Sequence, residues 1–237
     1  MLNIDPNFPK SLLPLAWLDG TWAGYGVDLP DHAALRDLQV VAEDNTLVLT
    51  FTSRPSDGWV KPEENAAEGL SHLVAVPDQP QVVERYELKV TGSTPAPQPG
   101  NPNALQTTLE LVQLENGELT REWVGVALGP RMQWQSLGGT RGEERGLGRV
   151  RMFGLVGGEL MWSESTFAAS DFARATSKGR ELSDEQIQTV STGRVARVDE
   201  GAKACEPSDA NVEPGEYSAQ PGTNAAKAPE ADAEKAQ

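Results

Sequence analysis

The sequence predicts an all-β protein: a single antiparallel up-and-down β-barrel of about ten strands, with a short N-terminal helical turn and a disordered C-terminal tail. Alternating apolar and polar residues recur along the chain, as in residues 47–52. Short hairpin signals separate these runs, and the strongest is Asn116-Gly117. No long helical periodicity interrupts the strands. Closing such a sheet into a barrel removes its exposed edges.

The elements follow from local composition. Residues 11–18 predict one or two helical turns, in which Pro14 suits the first turn and the leucines close one end of the barrel. Residues 55–69 are rich in Pro, Asp, Glu and Gly and predict a loop. The predicted strands are residues 20–27, 33–42, 46–54, 70–76, 81–91, 104–114, 118–126, 132–136, 147–156, 159–168 and 186–198.

The connections predict how these strands pair. Residues 77–80 are expected to turn the chain between the fourth and fifth strands, and Gly157-Gly158 to close a late hairpin. Residues 92–103 contain four prolines and predict a strand-breaking surface loop. Residues 186–198 have a sparse apolar set and are expected to close the sheet.

The opening strand has the pattern G-x-W-x-G-x-G, formed by Gly20, Trp22, Gly24 and Gly26. Side chains alternate along a strand, so these four residues point the same way. Three of the positions lack a side chain, which lets another backbone, a ligand or a neighbouring ring approach closely. Trp22 adds bulk at one end of this face, where we expect it to plug the bottom of the barrel.

Two stretches resemble the nitrobindins, which are haem-binding barrels related in shape to the fatty-acid-binding proteins and lipocalins. In residues 14–26 a short apolar segment leads into the glycine and tryptophan pattern. Residues 149–156, followed by Leu160-Met161-Trp162, are similar to a late hairpin of the family. The resemblance implies binding of nitric oxide at ferric haem and isomerisation of peroxynitrite to nitrate.

The axial histidine that the resemblance implies is missing. The family has this ligand close to the C-terminal end of the barrel, and residues 160–198 contain no histidine. Neither His32, in a predicted loop, nor His72, on a predicted short strand, matches the position. We therefore expect no haem in the family manner, with haem b on a non-family ligand as the alternative. The other side chains that could hold iron are Met152, Met161, Tyr25 and Cys205.

The candidate ligand-pocket residues are Arg149, Arg151, Phe153 and Trp162. The arginines share one face of a predicted strand with Phe153, and a guanidinium can hold a ligand carboxylate through two hydrogen bonds. If that face points inward, the arginines lie above an apolar wall; if it points outward, they are solvated. The sequence offers no catalytic residue and no metal-ligand spacing, and it has no phosphate-binding loop.

Charge and composition limit the partners. The formal net charge of −15 argues against nucleic acid and against an anionic membrane surface. We expect neither a signal peptide nor a transmembrane helix, because the sequence has no run of about 20 apolar residues. Cys205 is the only cysteine, so no intramolecular disulfide can form, and we expect a cytoplasmic protein.

The predicted domain spans residues 10–198, and residues 199–237 predict a disordered acidic tail that is rich in Ala, Glu and Pro. The favoured function is binding of a small apolar or amphipathic ligand in a haem-free barrel. One alternative is a haem enzyme, a peroxynitrite isomerase. Another is a protein-interaction module that uses residues 92–103 and the tail. Ligand identity and oligomeric state stay open at this point.

Overall fold

The computed structural model describes residues 6–28, 32–61 and 63–198 and confirms the predicted fold class. Ten antiparallel strands form a closed barrel, and one short strand lies outside it. The strands are β1 (Gly20–Asp28), β2 (His32–Glu43), β3 (Thr46–Gly58), β4 (Leu73–Ala75), β5 (Val82–Pro95), β6 (Leu105–Glu115), β7 (Glu118–Leu128), β8 (Arg131–Ser136), β9 (Leu147–Val156), β10 (Glu159–Ala168) and β11 (Gln188–Arg197). The helices are α1 (Ala66–Ser71), α2 (Ala169–Ser177) and the 3-10 helices Lys10–Leu15, Gly142–Gly146 and Asp184–Gln186.

The barrel strands follow one another around the ring almost in chain order. The order is β1, β2, β3, β5, β6, β7, β8, β9, β10 and β11, and β11 pairs with β1 to close the ring. Asn116 and Gly117 both have positive φ, at 52° and 80°, so the β6–β7 turn has the form that Asn-Gly favours. The bounds of β9 and β10 coincide with the predicted hairpin.

The first 3-10 helix closes one end of the barrel, which we call the closed end. Its leucines Leu12 and Leu15 are fully buried in the same cluster as Trp22. The Trp22 Nε1 group donates a hydrogen bond to the carbonyl of Leu18 at 2.9 Å. The guanidinium of Arg197 lies 4.5 Å from the centre of the Trp22 ring. Trp22 therefore lies at this end of the barrel, as predicted.

The bare face of β1 allows a close approach of β11. A Cβ at Gly24 would lie 2.7 Å from the Cα of Val195, and a Cβ at Gly26 would lie 2.6 Å from the carbonyl oxygen of Thr192. Both contacts are with backbone atoms of β11. The neighbouring strand, rather than a ligand, therefore occupies the space beside these glycines. The absence of side chains at these positions therefore lets the ring of strands close tightly.

The region before β5 differs from the prediction. Residues 66–71 form helix α1, which Asn65 and Glu68 stabilise through a capping box. Strand β4 pairs with the end of β3, whereas the prediction paired it with β5. His72 caps α1 rather than lying on a strand, and His32 begins β2 rather than lying in a loop. The sequence pattern missed α1 because the helix has only six residues, fewer than two turns.

The predicted bounds of the fifth strand, residues 81–91, and of the proline-rich loop, residues 92–103, were wrong. Strand β5 continues to Pro95, which pairs with Leu105, so the ladder enters the predicted proline-rich loop. Pro95 is tolerated because it is the last residue of its strand.

Helix α2 was not predicted, and its Phe172 ring lies 5.6 Å from Phe167 of β10. No helix of the described residues is long and apolar enough to span a membrane. Cys205 and the predicted tail, residues 199–237, lie outside the described residues.

Candidate functional site

Six aromatic side chains line the middle of the barrel interior, and we call them the aromatic layer. They belong to the main buried cluster and come from six of the ten barrel strands, β3, β5 and β7 to β10. They are Phe51, Tyr86, Trp123, Trp134, Phe153 and Trp162. Each of the six side chains points into the barrel. Side chains alternate along a strand, so the neighbouring residues point outward.

The aromatic layer fills the interior at its level. Phe51 on β3 and Phe153 on β9 belong to opposite walls of the ring, yet their ring centres are 6.1 Å apart. The Trp134 and Phe153 rings are 4.6 Å apart, and Trp162 lies 5.9 Å from Phe51. Most of these pairs are tilted or edge-to-face, the arrangements that aromatic rings favour. Little width therefore remains for an occupant between the walls at this level.

A layer of ion pairs lies beside the aromatic layer, towards the end of the barrel opposite the closed end. The Arg151 guanidinium donates to Glu164 on the neighbouring strand β10, with Nε 2.6 Å from Oε2. It also reaches across the interior to Glu84 on β5 at 3.2 Å. Its central carbon lies 5.2 Å from the Phe51 ring and 5.3 Å from the Tyr86 ring. Arg151 therefore joins the two layers.

The remaining members of this charged layer extend towards the rim. Arg149 donates to Glu164 at 2.6 Å and to Glu144 at 3.0 Å. Arg121 pairs with the same Glu144 and donates to the carbonyl of Leu147 at 2.9 Å. Three arginines and three glutamates thus balance one another in charge. We use the name charged layer for Glu84, Arg121, Glu144, Arg149, Arg151 and Glu164.

Burial and charge act in opposite directions on Glu164. Its side chain is only 3% exposed, and burial alone would raise the pKa of the carboxyl group. Arg151 and Arg149 outweigh that effect and hold the pKa of Glu164 below its ordinary value. Burial raises the pKa of Tyr86 well above its ordinary value, so its hydroxyl stays protonated. Glu164 is therefore ionised at neutral pH, whereas the Tyr86 phenol is neutral.

Several buried donors in this region have no hydrogen-bond partner among the described residues. They are the Tyr86 hydroxyl, the Trp134 Nε1 group and the Nε group of Arg149. Tyr86 and Trp134 are fully buried, and their rings are 5.5 Å apart. By contrast, Trp123 Nε1 in the same layer donates to Gln113 at 3.3 Å. Buried polar groups in folded proteins are nearly always paired, so these donors indicate a missing acceptor.

The structure brings the predicted pocket residues together. Arg149, Arg151 and Phe153 point inward from β9, and Trp162 lies opposite Phe153 in the β9–β10 register. The face of β9 that carries the arginines therefore points inward, which is one of the two alternatives that the sequence left open. Sequence reasoning missed Glu164 and Glu84. The pairing of Glu164 with Arg151 follows from the predicted hairpin over Gly157-Gly158, whereas nothing local points to Glu84, 67 residues away from Arg151.

Among the candidate iron ligands that the structure describes, none lies in the aromatic layer. His72 is outside the barrel beside Glu64, at 3.2 Å, and His32 is exposed at the start of β2. Met152 is 53% exposed on the outer face of β9, and Met161 and Tyr25 also lie at outward positions. No cluster of His, Cys, Asp and Glu suited to a metal ion exists within the described ranges.

Tyr25 gives a first testable prediction, because its hydroxyl contrasts with that of Tyr86. The Tyr25 hydroxyl is buried outside the barrel and donates to the carbonyl of Glu64 at 2.8 Å. We expect Tyr25→Phe to lower the free energy of unfolding by about 1 kcal/mol, measured by urea denaturation. Tyr86→Phe is the matched control and should cost less, since its hydroxyl has no partner in the described parts of the chain. Equal losses would contradict this difference.

Comparison with known proteins gives one informative relative. No family model matches the chain. A ferric nitrobindin-like protein of Kineococcus radiotolerans is 30% identical over 171 residues, which cover 68% of this chain and 87% of that protein. The crystal structure of Rv2717c from M. tuberculosis has a TM-score of 0.49 and 16% identity, and the match covers 83% of this chain and 99% of that one. The first similarity extends over most of the relative's length.

Proposed function

The chain belongs to the nitrobindin-like family, and from that premise we propose that its barrel binds a small ligand in the interior without holding haem in the family manner. The unpaired Tyr86 hydroxyl and Trp134 Nε1 group carry this proposal. A fully buried donor loses its hydrogen bonds to water on folding, which costs about 1–3 kcal/mol unless an acceptor replaces them. Two such donors on adjacent rings favour an occupant that supplies the acceptors.

The residues present do not fit haem. The rings of Phe51 and Phe153 from opposite walls lie 6.1 Å apart, a space into which a porphyrin does not fit without moving them. The described inward positions of the aromatic and charged layers include no histidine. The Arg151 to Glu84 pair also crosses the interior next to the rings. These features support a barrel whose interior is filled largely with side chains, which favours a small molecule over a porphyrin as the occupant.

The arrangement supports binding rather than catalysis. Each arginine of the charged layer is paired with a glutamate, and the phenol of Tyr86 is held neutral by its raised pKa. No nucleophile and base lie within hydrogen-bond reach of each other in the layer. Entry is easiest at the charged layer, where Glu84 is 29% and Glu144 46% exposed. We propose a cytoplasmic binding protein with no nucleic-acid or membrane partner.

A haemin titration of the full chain, followed by the Soret band, tests the absence of haem. We expect no saturable band shift at one haemin per chain, because the described interior offers no histidine. A saturable band that responds to nitric oxide would overturn the proposal and favour the peroxynitrite isomerase alternative. His32→Ala and His72→Ala would then identify the ligand. A band that survives both changes would indicate Tyr, Met or Cys coordination.

A further inference from the structure

We infer that the ligand is a small, uncharged, aromatic-sized molecule with a hydrogen-bond acceptor such as a ketone or amide carbonyl. This inference rests on the proposed function and names the ligand class of the same site. Three properties of the interior support it: a balanced charge, a surplus of donors and flat aromatic walls. They share some residues, but each limits a different property of the ligand: its charge, its hydrogen-bonding groups and its size.

The charge balance disfavours an ionised ligand. Arg151 already holds Glu164 and Glu84, and Arg149 holds Glu164 and Glu144. A ligand carboxylate would have to displace one of these glutamates, whose own charge would then be unpaired. For the nearly buried Glu164 that penalty is severe, since breaking a buried pair costs about 3–5 kcal/mol. A ligand cation would likewise have to displace an arginine from its glutamate and leave that arginine unpaired. An uncharged ligand avoids both penalties.

The donor surplus requires an acceptor on the ligand. The unpaired buried polar groups in the two layers are all N–H or O–H groups, on Tyr86, Trp134 and Arg149. The aromatic and charged layers have no unpaired buried carboxylate or amide oxygen among their described members. A purely hydrocarbon ligand would leave these donors unpaired. A carbonyl oxygen has two lone pairs and can accept from two donors at once.

The walls set the size and shape of the ligand. Tyr86 lies 5.5 Å from Trp134 and 6.2 Å from Trp123, and each of these contacts is tilted or edge-to-face. These rings contact one another, so an occupant has to displace some of them, and a single ring displaces fewer of them than a long alkyl chain does. The cross-interior pair of Arg151 and Glu84 limits the depth of entry. A single ring with one carbonyl meets these limits.

The test uses uniformly 15N-labelled full chain and three probes with the same number of non-hydrogen atoms: acetophenone, benzoate and cumene. The indole N–H signals of the six tryptophans report binding, and the Trp134 signal is assigned with Trp134→Phe. We expect acetophenone to shift the Trp134 signal strongly and to bind about fivefold more tightly than the other two probes, since one good hydrogen bond is worth about 1 kcal/mol. The indole of Trp123, already bonded to Gln113, should shift less.

Tyr86→Phe tests the role of the free hydroxyl. It keeps the ring and removes an unpaired group, so the barrel should fold and acetophenone affinity should fall about three- to tenfold. Tyr25→Phe is the control and should leave the affinity unchanged, because Tyr25 lies outside the barrel. Should Tyr86→Phe fail to fold, the comparison of acetophenone with cumene on the unaltered chain decides the question.

The possible outcomes distinguish a failure of the inferred ligand class from a failure of the proposed function. Benzoate or cumene binding as tightly as acetophenone would overturn the ligand class while leaving the interior as a binding site. No shift of any interior indole signal by any probe would overturn both. Acetophenone binding with shifts confined to Trp59, which is 67% exposed, would indicate a surface site and overturn the inference as well.

Discussion

Replacing Gly24 with alanine is expected to lower the free energy of unfolding by about 3 kcal/mol, because overpacking a well-fitted contact costs about this much. The added Cβ would lie 2.7 Å from the Cα of Val195 and closer still to the carbonyl oxygen of Arg194. Both atoms are backbone, so no side-chain rotation relieves the clash. The β1 and β11 strands would have to separate, which weakens the pairing that closes the barrel.

Gly154→Ala is the matched control for this substitution. Gly154 is also in the middle of a barrel strand, but a Cβ there would meet no atom within 4 Å among the described residues. We expect the control to be neutral or slightly stabilising, because alanine has less conformational freedom than glycine in the unfolded chain. Urea denaturation of both variants gives the comparison. Similar stability of the two variants would show that β11 can move away from β1 at little cost.

Replacing Glu164 with glutamine is expected to lower the free energy of unfolding by about 3 kcal/mol at neutral pH. Glutamine has nearly the same shape but no charge, so Arg151, which is 7% exposed, loses its closest counter-ion. Removing one partner of a buried ion pair leaves an uncompensated buried charge, and that is what makes the loss large. Arg149 also loses a bond at 2.6 Å, although it keeps Glu144.

The effect of Glu164 should depend on pH with a defined sign. Arg151 and Arg149 outweigh burial and lower the pKa of Glu164 in the folded protein, so the unfolded chain binds the proton more tightly. Its stabilisation is therefore complete above the unfolded carboxyl pKa of about 4.3. It is lost as the pH falls through the lower folded pKa. The stability gap between the unaltered chain and Glu164→Gln should therefore narrow as the pH falls below about 4.3.

Glu118→Gln is the control for Glu164→Gln. Glu118 pairs with Arg141, and both side chains are about two-thirds exposed, at 65% and 66%. Exposed pairs contribute little, so this variant should change the free energy of unfolding by less than about 1 kcal/mol at any pH. A loss as large as that of Glu164→Gln would mean that general charge repulsion, and not the buried pair, controls stability in this acidic chain.

Much of the barrel could be read from local signals. Asn116-Gly117 and Gly157-Gly158 fix their turns through backbone conformations that few other residues adopt, so β6, β7, β9 and β10 were predicted nearly to the residue. Alternation alone placed Gly20, Trp22, Gly24 and Gly26 on one face of β1. The region of α1 and β4 could not be read in this way, because a helix of six residues carries too little periodicity to be distinguished from a loop.

The candidate site was predictable only in part. Alternation placed Arg149, Arg151 and Phe153 on one face, but a strand taken alone does not tell which face is inner. Only the pairing of β11 with β1 decides that, since it makes one side of every strand the interior. The role of Glu84 depends on a contact across the ring. The predictions for Cys205 and for residues 199–237 stay predictions, because these residues lie outside the described parts of the chain.

The sequence by itself determined the fold class, most strands and turns, and the absence of a histidine at the family's ligand position, because these depend on residues close together in the chain. Tertiary structure alone decided what fills the interior. The meeting of Phe51 with Phe153, the bond from Arg151 to Glu84 and the unpaired donors of Tyr86 and Trp134 arise from strands far apart in sequence. Closure of the ring brings these strands face to face across the interior. No local sequence pattern encodes contacts between residues so far apart in the chain.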